Sequence, residues 1–525
     1  MEEKIQITSQ VQKNKKQHTG KVYLVGAGPS DPELLTLKGL HVLKKAQVVI
    51  YDALIGHGIY AMIPQEAAKI AAGKRAGSHT MTQEEINRLI LEKAQEGKCV
   101  VRLKGGDPFL FGRGAEELAL LIKHQIPFEI VPGVTSAVAV PAYAGIPVTC
   151  RGVSSGVHIL TGHKKQGEPL DIDFSSLVRA GGTYVFLMGM TALHEIAAGF
   201  LQAGMPPQTP AAVISQGTGA RQKSVAASLA DMEKEVARQR IKAPAVIVIG
   251  EVAACGKRYA WREKLCLAGC RILVTRPADR SGALAGLLRE QGAEVLEIPS
   301  IRTRIRDVGA QLLEVLAQIE TYRYVVFTSP AGVEYFFELL DGMELDVRCL
   351  GQVKIAAIGS ATGSALKKHG LRPELMPDRY HSKALGELLH ASLEDGDRVL
   401  LLRSSIGSKE LVAQIQTEKN IGVTDLAIYD TACPEDMTQA ALDARLKTWL
   451  DEGEIDLVMF TSASTVRGFV EMTQGADYTK VRAVCIGQVT ADQAALYGMQ
   501  VHICEKETVL HMADCAAELF KTMKL

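Results

Sequence analysis

The feature that most constrains the fold of this chain is a series of short segments that are apolar at nearly every position. They alternate with amphipathic stretches of helical periodicity and include KVYLV (21–25), QVVIYD (47–52), KCVVRLKGGD (98–107), TYVFLMG (183–189), AAVISQG (211–217) and AVIVIGEV (245–252). Strands with two apolar faces are typical of sheets that helices cover on both sides. The pattern therefore predicts α/β architecture along the whole chain.

The length of 525 residues is sufficient for two or more domains. The apolar periodicity fails at ACGKRYAWREKLCLAGC (254–270), where a charged stretch precedes the next strand-like run, RILVTRP (271–277). The start of the chain is polar and lacks the apolar core of a signal peptide. We therefore expect a flexible tail, a first half, a linker and a second half, at 1–19, 20–255, 256–268 and 269–525.

The second half contains an internal repeat. VVFTSPAGVEYFF (325–337) resembles LVMFTSASTVRGF (457–469), and KIAAIGSATGSALKKHG (354–370) resembles RAVCIGQVTADQAALYG (482–498). RILVTRP is echoed in the same way by RVLLLRS (398–404), and the three pairs occur in the same order at nearly equal offsets. The repeat predicts two similar α/β lobes with a ligand cleft between them.

Composition argues against several classes of function. The formal net charge is zero, with 59 basic and 59 acidic residues, so no overall charge attracts nucleic acid or a membrane surface. The ten cysteines are scattered without a CxxC pair, and the histidines lack the spacing of metal ligands. No apolar run is long enough to span a membrane. We therefore expect no metal, reduced thiols and a cytoplasmic location.

Loops that follow predicted strands of the first half carry residues suited to chemistry. Gly26 and Gly28 allow a sharp turn at the sheet edge where ligands bind in α/β folds. Asp52 ends the next strand, either as a catalytic carboxylate or as a solvated or capping residue. VRLKGGDPFLFGRGAEE (101–117) has two adjacent glycines after a strand, but it lacks the spacing of a phosphate loop or a dinucleotide fingerprint.

Two further segments of the first half are unusual. AAGKRAGSHTMTQEEI (71–86) presents Lys74 in a basic, glycine-punctuated loop, and its Thr82 and Glu85 predict a helix capping box. VPGVTSAVAVPAYAGIPVT (131–149) is rich in small residues and proline, which prevents a long helix. This second segment either lets main chain approach a ligand closely or forms a tightly packed connection between domains.

Together these segments resemble uroporphyrinogen-III C-methyltransferases of the tetrapyrrole methylase family. The resemblance covers about residues 20–255 and is carried, in order and spacing, by GAGPSDPELLT, YDALIG, GKRAGSH, VRLKGGDPFLFGRGAEE, VPGVTSAVAVPAYAGIPVT, TYVFLMGM and PAAVISQGT. It implies the class III methyltransferase fold, with α/β subdomains at about 20–132 and 150–255. Ser30 departs from the family, which commonly has glycine there, and serine should cost little unless its φ is positive.

The resemblance implies that S-adenosylmethionine binds at the GGDP loop and leaves as S-adenosylhomocysteine. The residues that it places around this cofactor are Pro29, Gly105, Gly106, Asp107, Leu110, Thr135, Ser136, Met188 and Gly217. Glycine has a physical reason at 105 and 106, since a Cβ would collide with a ligand that lies on the main chain. Asp107 either contacts the cofactor or caps the following helix.

The family pattern also implies two catalytic residues in the first half. Asp52 would accept the proton that leaves the methylated intermediate, and Lys74 would donate a proton or pair with a carboxylate of the substrate. Arg75, Arg102 and Arg113 are further candidates for binding those carboxylates. Enzymes of this kind usually pair, so we expect a homodimer through this half.

Residues 265–525 resemble uroporphyrinogen-III synthases through ILVTRP, VVFTSPAGVEYF, AAIGSATGSAL, AIYDT, FTSASTVRGF and VCIGQVTADQA. The family fold implies two α/β lobes joined by two crossing strands, one from about 269–300 with 433–525 and the other from about 303–430. Such an enzyme closes a linear tetrapyrrole, hydroxymethylbilane, and inverts its last ring. That reaction requires a cleft that binds acetate and propionate groups, and it requires no nucleophile from the protein.

The resemblance places Tyr429 in that cleft, where its hydroxyl would help water or hydroxide to leave. Arg276 is a candidate carboxylate clamp, although its repeat counterpart Arg403 leaves a structural role open for either residue. Hydroxyls that follow predicted strands are candidate substrate ligands, namely Ser329, Thr362, Ser462 and Thr490. Serine and threonine are also the usual helix N-caps, so each has that alternative role.

The two resemblances together imply a cytoplasmic bifunctional enzyme. Its C-terminal half would make uroporphyrinogen III, and its N-terminal half would methylate that product twice with S-adenosylmethionine to precorrin-2, for cobalamin or sirohaem synthesis. The alternative is a methyltransferase of the same superfamily on another substrate, with a C-terminal module that only senses a tetrapyrrole. The expected partners are small-molecule tetrapyrroles, with no nucleic acid and no membrane.

Overall fold

Each half of the chain is built around two five-stranded sheets, which confirms the predicted α/β architecture. The chain divides into two compact units, one of 1–299 with 435–525 and one of 300–434. The structure is a computed structural model that describes residues 19–64, 66–72, 81–163, 170–276, 278–407, 409–432 and 445–524. The side chains of 278–281, nearly all of the predicted tail and the loop with Lys74 lie outside the described residues.

The first sheet positions the loops of the predicted cofactor site. Its five parallel strands are Val22–Gly26 (β1), Val48–Tyr51 (β2), Ala68–Ala71 (β3), Val100–Lys104 (β4) and Phe128–Val131 (β5). They lie in the order β3-β2-β4-β1-β5, so β4 and β1 are neighbours at the centre. The loops after these two strands therefore meet at one edge of the sheet. Its helices are Leu37–Leu43, His57–Ala61, Gln83–Gln95 and Gly114–Lys123.

Local sequence signals agree with the structure at two helices, at the start of one and in the short length of the other. Thr82 accepts the N–H of Glu85 at 3.2 Å, and the Glu85 carboxylate accepts the N–H of Thr82 at 2.6 Å, which confirms the capping box. The run of small residues forms a helix of only 8 residues, Ser136–Tyr143, with Pro141 inside it. This short helix agrees with the expectation that proline prevents a long one.

The second sheet forms the other subdomain of the first half. Its strands are Val157–Thr161 (β6), Thr183–Leu187 (β7), Pro210–Ser215 (β8), Lys223–Ser228 (β9) and Ala245–Ile249 (β10). They lie in the order β6-β7-β10-β8-β9, and only β6 and β7 are parallel. The apolar runs are strands here as predicted. Helices cover both faces of the sheet, which explains why both faces of these strands are apolar. Those helices are Ser136–Tyr143, Phe174–Ala180, Leu193–Gln202 and Met232–Arg238.

Ten more strands lie among the described residues of the second half. In chain order they are Arg271–Val274 (β11), Glu294–Glu297 (β12), Arg302–Ile305 (β13), Tyr324–Phe327 (β14), Lys354–Ala357 (β15), Arg398–Ser404 (β16), Gly422–Ala432 (β17), Leu457–Phe460 (β18), Arg482–Cys485 (β19) and Gln500–Ile503 (β20). The third sheet is parallel, in the order β12-β11-β18-β19-β20. The fourth has the order β13-β17-β16-β14-β15, with only β13 antiparallel to its neighbour.

The two copies of the internal repeat have the same local structure. In each, a buried strand is followed by a helix, a second parallel strand and a second helix. The first copy contributes β14 and β15 to the fourth sheet, and the second contributes β18 and β19 to the third. The helices of the second half are Ala278–Glu290, Gly309–Leu316, Pro330–Gly342, Ser360–Lys368, Ser382–Ser392, Lys409–Ile415, 445–451, Ala463–Met472, Gln488–Ala495 and Val509–Met523.

Candidate functional site

The loops after β1 and β4 are joined directly through their glycines. The N–H of Gly106 donates to the carbonyl of Gly28 at 2.9 Å, and the N–H of Gly28 donates to the carbonyl of Gly106 at 3.2 Å. Both residues have left-handed φ values, +70° at Gly28 and +67° at Gly106. Glycine adopts this conformation without a steric penalty, so the reciprocal pair is specified by the sequence.

A third loop, which follows β5, packs its backbone directly against the backbone of the other two loops. A Cβ on Gly133 would lie 2.2 Å from the carbonyl oxygen of Gly106, and a Cβ on Gly26 would lie 2.5 Å from the backbone of Gly133. A Cβ on Gly105 would lie 3.2 Å from Cβ of Leu54, in the loop after β2. The loops after β1, β4 and β5 therefore meet backbone to backbone, and we call these three segments the glycine shelf (26–28, 105–107 and 133–136).

Asp107 holds the glycine shelf together. Its Oδ1 accepts the N–H groups of Phe109 at 2.8 Å and Leu110 at 3.2 Å, and its Oδ2 accepts the N–H of Gly133 at 3.0 Å. Asp107 therefore caps its own turn, while the next helix begins later, at Gly114. Of the two roles considered for this residue, helix capping is replaced by a bridge between two loops of the shelf.

The second subdomain reaches the shelf through residues 216–222. The hydroxyl of Thr218 donates to the carbonyl of Pro29 at 2.9 Å and accepts the N–H of Asp31 at 3.2 Å. Gly217 packs on the helix that follows Thr135, since a Cβ there would lie 2.4 Å from the methyl carbons of Val140. The structure thus brings Pro29, Thr135, Ser136 and Gly217 to the region of Gly105, Gly106 and Asp107.

The other two predicted cofactor residues, Leu110 and Met188, have different surroundings. Leu110 is partly buried against the hydrophobic cluster that contains Val140 of the helix Ser136–Tyr143. Met188 directly follows β7, and 49% of its surface is exposed. Thr135 caps the helix Ser136–Tyr143 by accepting the N–H of Ala137 at 3.2 Å.

Backbone strain is concentrated in these loops. Positive φ values occur at Ser30 (122°), Phe111 (56°), Met188 (54°), Gln216 (47°) and Thr218 (67°), none of which is glycine. Such conformations cost roughly 1–3 kcal/mol each and cluster at functional sites. Ser30 meets the condition under which serine in place of glycine carries a cost, because its φ is positive.

Asp52 lies at the edge of a buried charge cluster, which we define as Asp52, Arg102, Lys104 and Glu117. The Arg102 guanidinium contacts Asp52 and donates from Nε to Glu117 at 3.0 Å, and Lys104 Nζ lies 2.8 Å from the same Glu117 oxygen. The side chains of Arg102, Lys104 and Glu117 are almost fully buried, whereas 30% of Asp52 is exposed. The cluster therefore holds the Asp52 carboxylate in place through the buried guanidinium of Arg102.

The buried charge cluster corrects one prediction and reveals two residues that the sequence reasoning missed. Arg102 is wrong as a ligand for substrate carboxylates, because it is 2% exposed and already ion-paired. Lys104 and Glu117 were missed, although a lysine in an apolar strand and a glutamate beside Leu118 and Leu121 are detectable signals. Burial, together with the charge of Arg102, lowers the pKa of Lys104.

Other basic candidates of the first half have different outcomes. Arg113 is exposed and forms an ion pair with Glu116 at 2.5 Å. Lys74 and Arg75 lie outside the described residues. Within the part of the chain that the structure describes, no three His, Cys, Asp or Glu side chains are grouped as metal ligands would be. No helix among the described residues is both long and apolar enough to cross a membrane.

In the second half, Tyr429 and Ser329 lie together. The Tyr429 hydroxyl is 2.8 Å from the Ser329 hydroxyl, which accepts the N–H of Gly332 at 2.9 Å and so caps the helix Pro330–Gly342. The ring of Tyr335 lies 5.4 Å from that of Tyr429. Ser329 thus has the predicted alternative role as an N-cap, and it also presents a hydroxyl beside a tyrosine.

The remaining hydroxyl candidates are more varied. Ser462 caps the helix Ala463–Met472 through the N–H of Thr465, in the repeat position that matches Ser329. Thr362 is 1% exposed and Thr490 is 4% exposed, and each is the third residue of its helix. This burial favours a packing role for both threonines.

The two repeat arginines can be compared in the same way. Arg403 is 3% exposed and makes two hydrogen bonds to the Asp425 carboxylate, at 2.8 and 2.5 Å. This pairing gives Arg403 a structural role. Arg276 follows β11 and is half-buried, so its function as a carboxylate clamp stays a prediction.

Comparison with known proteins identifies both halves. A family model of tetrapyrrole (corrin/porphyrin) methylases matches residues 21–233, and a model of uroporphyrinogen-III synthase HemD matches residues 282–514. The S-adenosyl-L-methionine-dependent uroporphyrinogen III methyltransferase of Methanosarcina barkeri is 51% identical over 234 residues, 44% of this chain and 92% of that protein. The crystal structure of uroporphyrin-III C-methyl transferase from Thermus thermophilus, complexed with S-adenyl homocysteine, is 39% identical, with a TM-score of 0.39, over 45% of this chain and 99% of that one.

One relative matches almost end to end. The porphyrin biosynthesis protein HemD of Ruminiclostridium josui is 40% identical over 500 residues, which cover 95% of this chain and 98% of that protein. Both predicted resemblances are therefore confirmed, and in the predicted order. The chain belongs to the family of porphyrin biosynthesis proteins in which a tetrapyrrole methylase segment is followed by a uroporphyrinogen-III synthase segment of the HemD type.

Proposed function

We propose that this chain is a bifunctional enzyme of tetrapyrrole biosynthesis. Its C-terminal half cyclises hydroxymethylbilane to uroporphyrinogen III, and its N-terminal half methylates that product twice with S-adenosylmethionine to precorrin-2, for cobalamin or sirohaem synthesis. The observation that carries the proposal is the glycine shelf, where three loops meet without side chains between them. The presence of both family segments on one chain supports consecutive reactions.

The shelf fits a cofactor that lies against main chain. A Cβ on Gly106 would have only the Ser136 nitrogen near it, at 3.9 Å, so glycine there leaves open space against the main chain for a ligand. Bound S-adenosylmethionine supplies an electrophilic methyl group. The task of the protein is to hold donor and acceptor in line, which can lower the barrier by several kcal/mol, on the order of 7–11 at most. Pro29, Thr135, Met188 and Gly217 would complete the pocket.

Asp52 is the proposed proton acceptor for the methylated intermediate. Its carboxylate is partly exposed at the edge of the sheet, while Arg102 binds it from the buried side. Glu117 in turn holds Arg102, so the orientation of the Asp52 carboxylate is fixed by residues that solvent does not reach. Lys74 remains the proposed proton donor or carboxylate partner.

Tyr429 and Ser329 are the proposed centre of the cyclisation site. The pair lies at the N-terminus of the 13-residue helix Pro330–Gly342, where the helix dipole favours anionic groups. The phenol of Tyr429 can donate a proton to a departing hydroxide. Further proposed ligands of the acetate and propionate groups are Arg276 and Ser462.

We extend the proposal to the organisation of the protein. The domain bounds predicted from the sequence, a cytoplasmic location and a homodimer through the methylase half are parts of it. Small tetrapyrroles are the proposed partners. The neutral overall charge supports the absence of nucleic acid as a partner.

The test is to incubate the full chain with hydroxymethylbilane and methyl-labelled S-adenosylmethionine and to analyse the product by mass spectrometry. The expected product is a cyclic tetrapyrrole with two labelled methyl groups, and uroporphyrinogen III should accumulate when the methyl donor is omitted. Asp52→Asn should slow methylation by about a hundredfold to ten-thousandfold and leave cyclisation unchanged. Binding of hydroxymethylbilane without turnover would instead support the sensor alternative and contradict the proposal.

A further inference from the structure

The loop 216–222 of the methylase half is held by residues from outside its own subdomain. Thr218 bonds to Pro29 and Asp31 of the loop after β1, as described above. The buried Arg262 guanidinium donates to the carbonyls of Thr218 at 3.2 Å and Gly219 at 3.0 Å. The next N–H, that of Ala220, donates to a carboxylate oxygen of Glu294 at 2.7 Å. Glu294 belongs to β12, in the synthase segment.

Glu294 is well built for this contact. Its side chain is 5% exposed, and the same oxygen that accepts the Ala220 N–H lies 3.2 Å from Nη2 of Arg271. Its other oxygen lies 3.1 Å from Nε of Arg271 and 3.7 Å from Nδ1 of His57. Burial alone would raise the pKa of Glu294, but His57, Arg271 and the Ala220 N–H outweigh it and lower the pKa to about 2. Glu294 is therefore a fixed anion at physiological pH.

A second ion pair anchors the same loop. Arg221, the residue after Ala220, contacts both carboxylate oxygens of Asp456, at 3.0 and 3.2 Å. Asp456 precedes β18 and also accepts the N–H of Arg271 at 2.7 Å. Consecutive residues of the methylase loop are thus bonded to β12 and to the residue before β18, the two strands that flank β11 in the third sheet.

The synthase segment also contacts a helix of the methylase half that lies close in sequence to Asp52. The guanidinium of Arg445 lies 3.9 Å from the ring centre of Tyr60, and Trp449 packs edge-on against His57 at 4.5 Å. Both methylase residues are in the helix His57–Ala61, which follows the loop that begins at Asp52. The same lobe therefore supports two loops that border the proposed methyl-transfer site.

We propose that Glu294, a residue of the synthase segment, is a positioning residue for the cofactor loop of the methylase half. It holds the N–H of Ala220, and through the short loop it keeps Thr218 against Pro29, so that Gly217 faces the shelf in its binding conformation. The inference rests on the proposed use of S-adenosylmethionine. It adds that the synthase segment contributes to the affinity of the methylase half for this cofactor.

The test compares two glutamates of the same strand in the full chain. Glu294→Gln keeps the shape of the side chain but removes the charge that binds Ala220 and Arg271. Glu297→Gln is the matched control, because Glu297 also pairs with an arginine, Arg289 at 2.5 Å, without contacting the methylase loop. The dissociation constant of S-adenosylhomocysteine is measured by calorimetry, and the KM for S-adenosylmethionine and the rate of hydroxymethylbilane cyclisation are measured alongside.

We expect Glu294→Gln to weaken binding of S-adenosylhomocysteine by about tenfold, within the usual range of coupling between sites. The KM for S-adenosylmethionine should rise with little change in kcat, cyclisation should be unchanged, and Glu297→Gln should match the parent chain throughout. Unchanged S-adenosylhomocysteine affinity in a variant that still cyclises its substrate would overturn the inference. If the parent chain itself failed to bind this ligand, the proposed function would fail, and the inference with it.

A second variant covers the case in which Glu294→Gln also loses cyclisation. Arg221→Gln changes a side chain that is 30% exposed. It removes the pair with Asp456, the contact with the Glu454 carboxylate and the bonds to the carbonyls of Gly269, Gly453 and Glu454, and it leaves Glu294 in place. We expect it to weaken S-adenosylhomocysteine binding by about threefold, less than the usual range of inter-site coupling because Glu294 still holds Ala220. An affinity equal to that of the parent chain would contradict the inference.

Discussion

The glycine shelf of the methylase half and the Ser329–Tyr429 pair of the synthase segment are built on opposite principles. The shelf presents backbone, and a layer of buried charge beneath it fixes Asp52. The Ser329–Tyr429 pair consists of two neutral hydroxyls at a helix N-terminus. The difference teaches that, in a site built from main chain, a functional side chain such as Asp52 is held in position by buried ion pairs. The hydroxyl pair instead is neutral and capped into a helix start, and its Tyr429 is only 5% exposed.

The largest expected effect comes from the buried charge cluster. Glu117→Gln would leave Arg102 and Lys104 buried without their shared anion, and breaking a buried ion pair on one side costs about 3–5 kcal/mol. Urea unfolding of the full chain should show this loss. Glu116→Gln, one residue earlier and exposed, should cause no measurable change. A small effect of Glu117→Gln would mean that the shelf does not depend on charge beneath it.

The second prediction concerns low pH. Acid should protonate Glu294 and weaken its ion pairs, whereas the neutral hydroxyls of Ser329 and Tyr429 should keep their hydrogen bond. The pKa of Glu294 is lowered from 4.5 to about 2 by His57, Arg271 and Ala220, despite burial. Its contribution to stability is therefore complete above about pH 4.5, is lost as the pH falls towards 2, and amounts to about 3 kcal/mol. The difference in urea midpoint between the parent chain and Glu294→Gln should narrow over this range. A constant difference would contradict the pairing.

The third prediction probes the hydroxyl pair. Ser329→Ala removes an N-cap, which costs about 1 kcal/mol, and it should also slow cyclisation because Tyr429 loses its partner. Thr508→Ala is the matched control, since Thr508 caps the helix Val509–Met523 in the same way. It should lower the thermal midpoint similarly without changing the cyclisation rate. Equal cyclisation rates in the two variants would assign Ser329 to capping alone.

The smallest expected effect is at Ser30, and its sign is favourable. Serine at a φ of 122° is strained, so Ser30→Gly should raise the free energy of unfolding by up to about 1 kcal/mol, after the entropy cost of glycine. Gly152→Ala is the reverse change, at a φ of +78° in open space, and should lower the thermal midpoint. A lower stability of Ser30→Gly would show that the serine hydroxyl contributes more than the strain removes.

Local patterns in the sequence predicted much of this architecture. Continuous apolar runs identified the strands, and the capping box at Thr82 and Glu85 identified a helix start, because both signals depend on near neighbours. The glycines at 105 and 106 pointed to close backbone approach for the same reason. The direction of pairing in the second sheet was beyond such signals, since it depends on how distant strands return to it.

The contacts that support the shelf could not be read from the sequence. Lys104 and Glu117 are 13 positions apart, and Ala220 and Glu294 are 74 apart, so their pairing depends on how helices and loops pack in three dimensions. Charged residues in an apolar strand were visible, but their partners were not. The role of Asp107 as a bridge to Gly133 was hidden in the same way, because it depends on a loop from another strand.

The central claim is that the glycine shelf holds the methyl donor. A crystal structure of the full chain with S-adenosylhomocysteine measures this most directly. We predict that the nucleoside will lie against the backbone of 105–107, with Pro29, Thr135 and Gly217 around it. Electron density for the ligand at any other position, with the shelf open to solvent, would contradict the account.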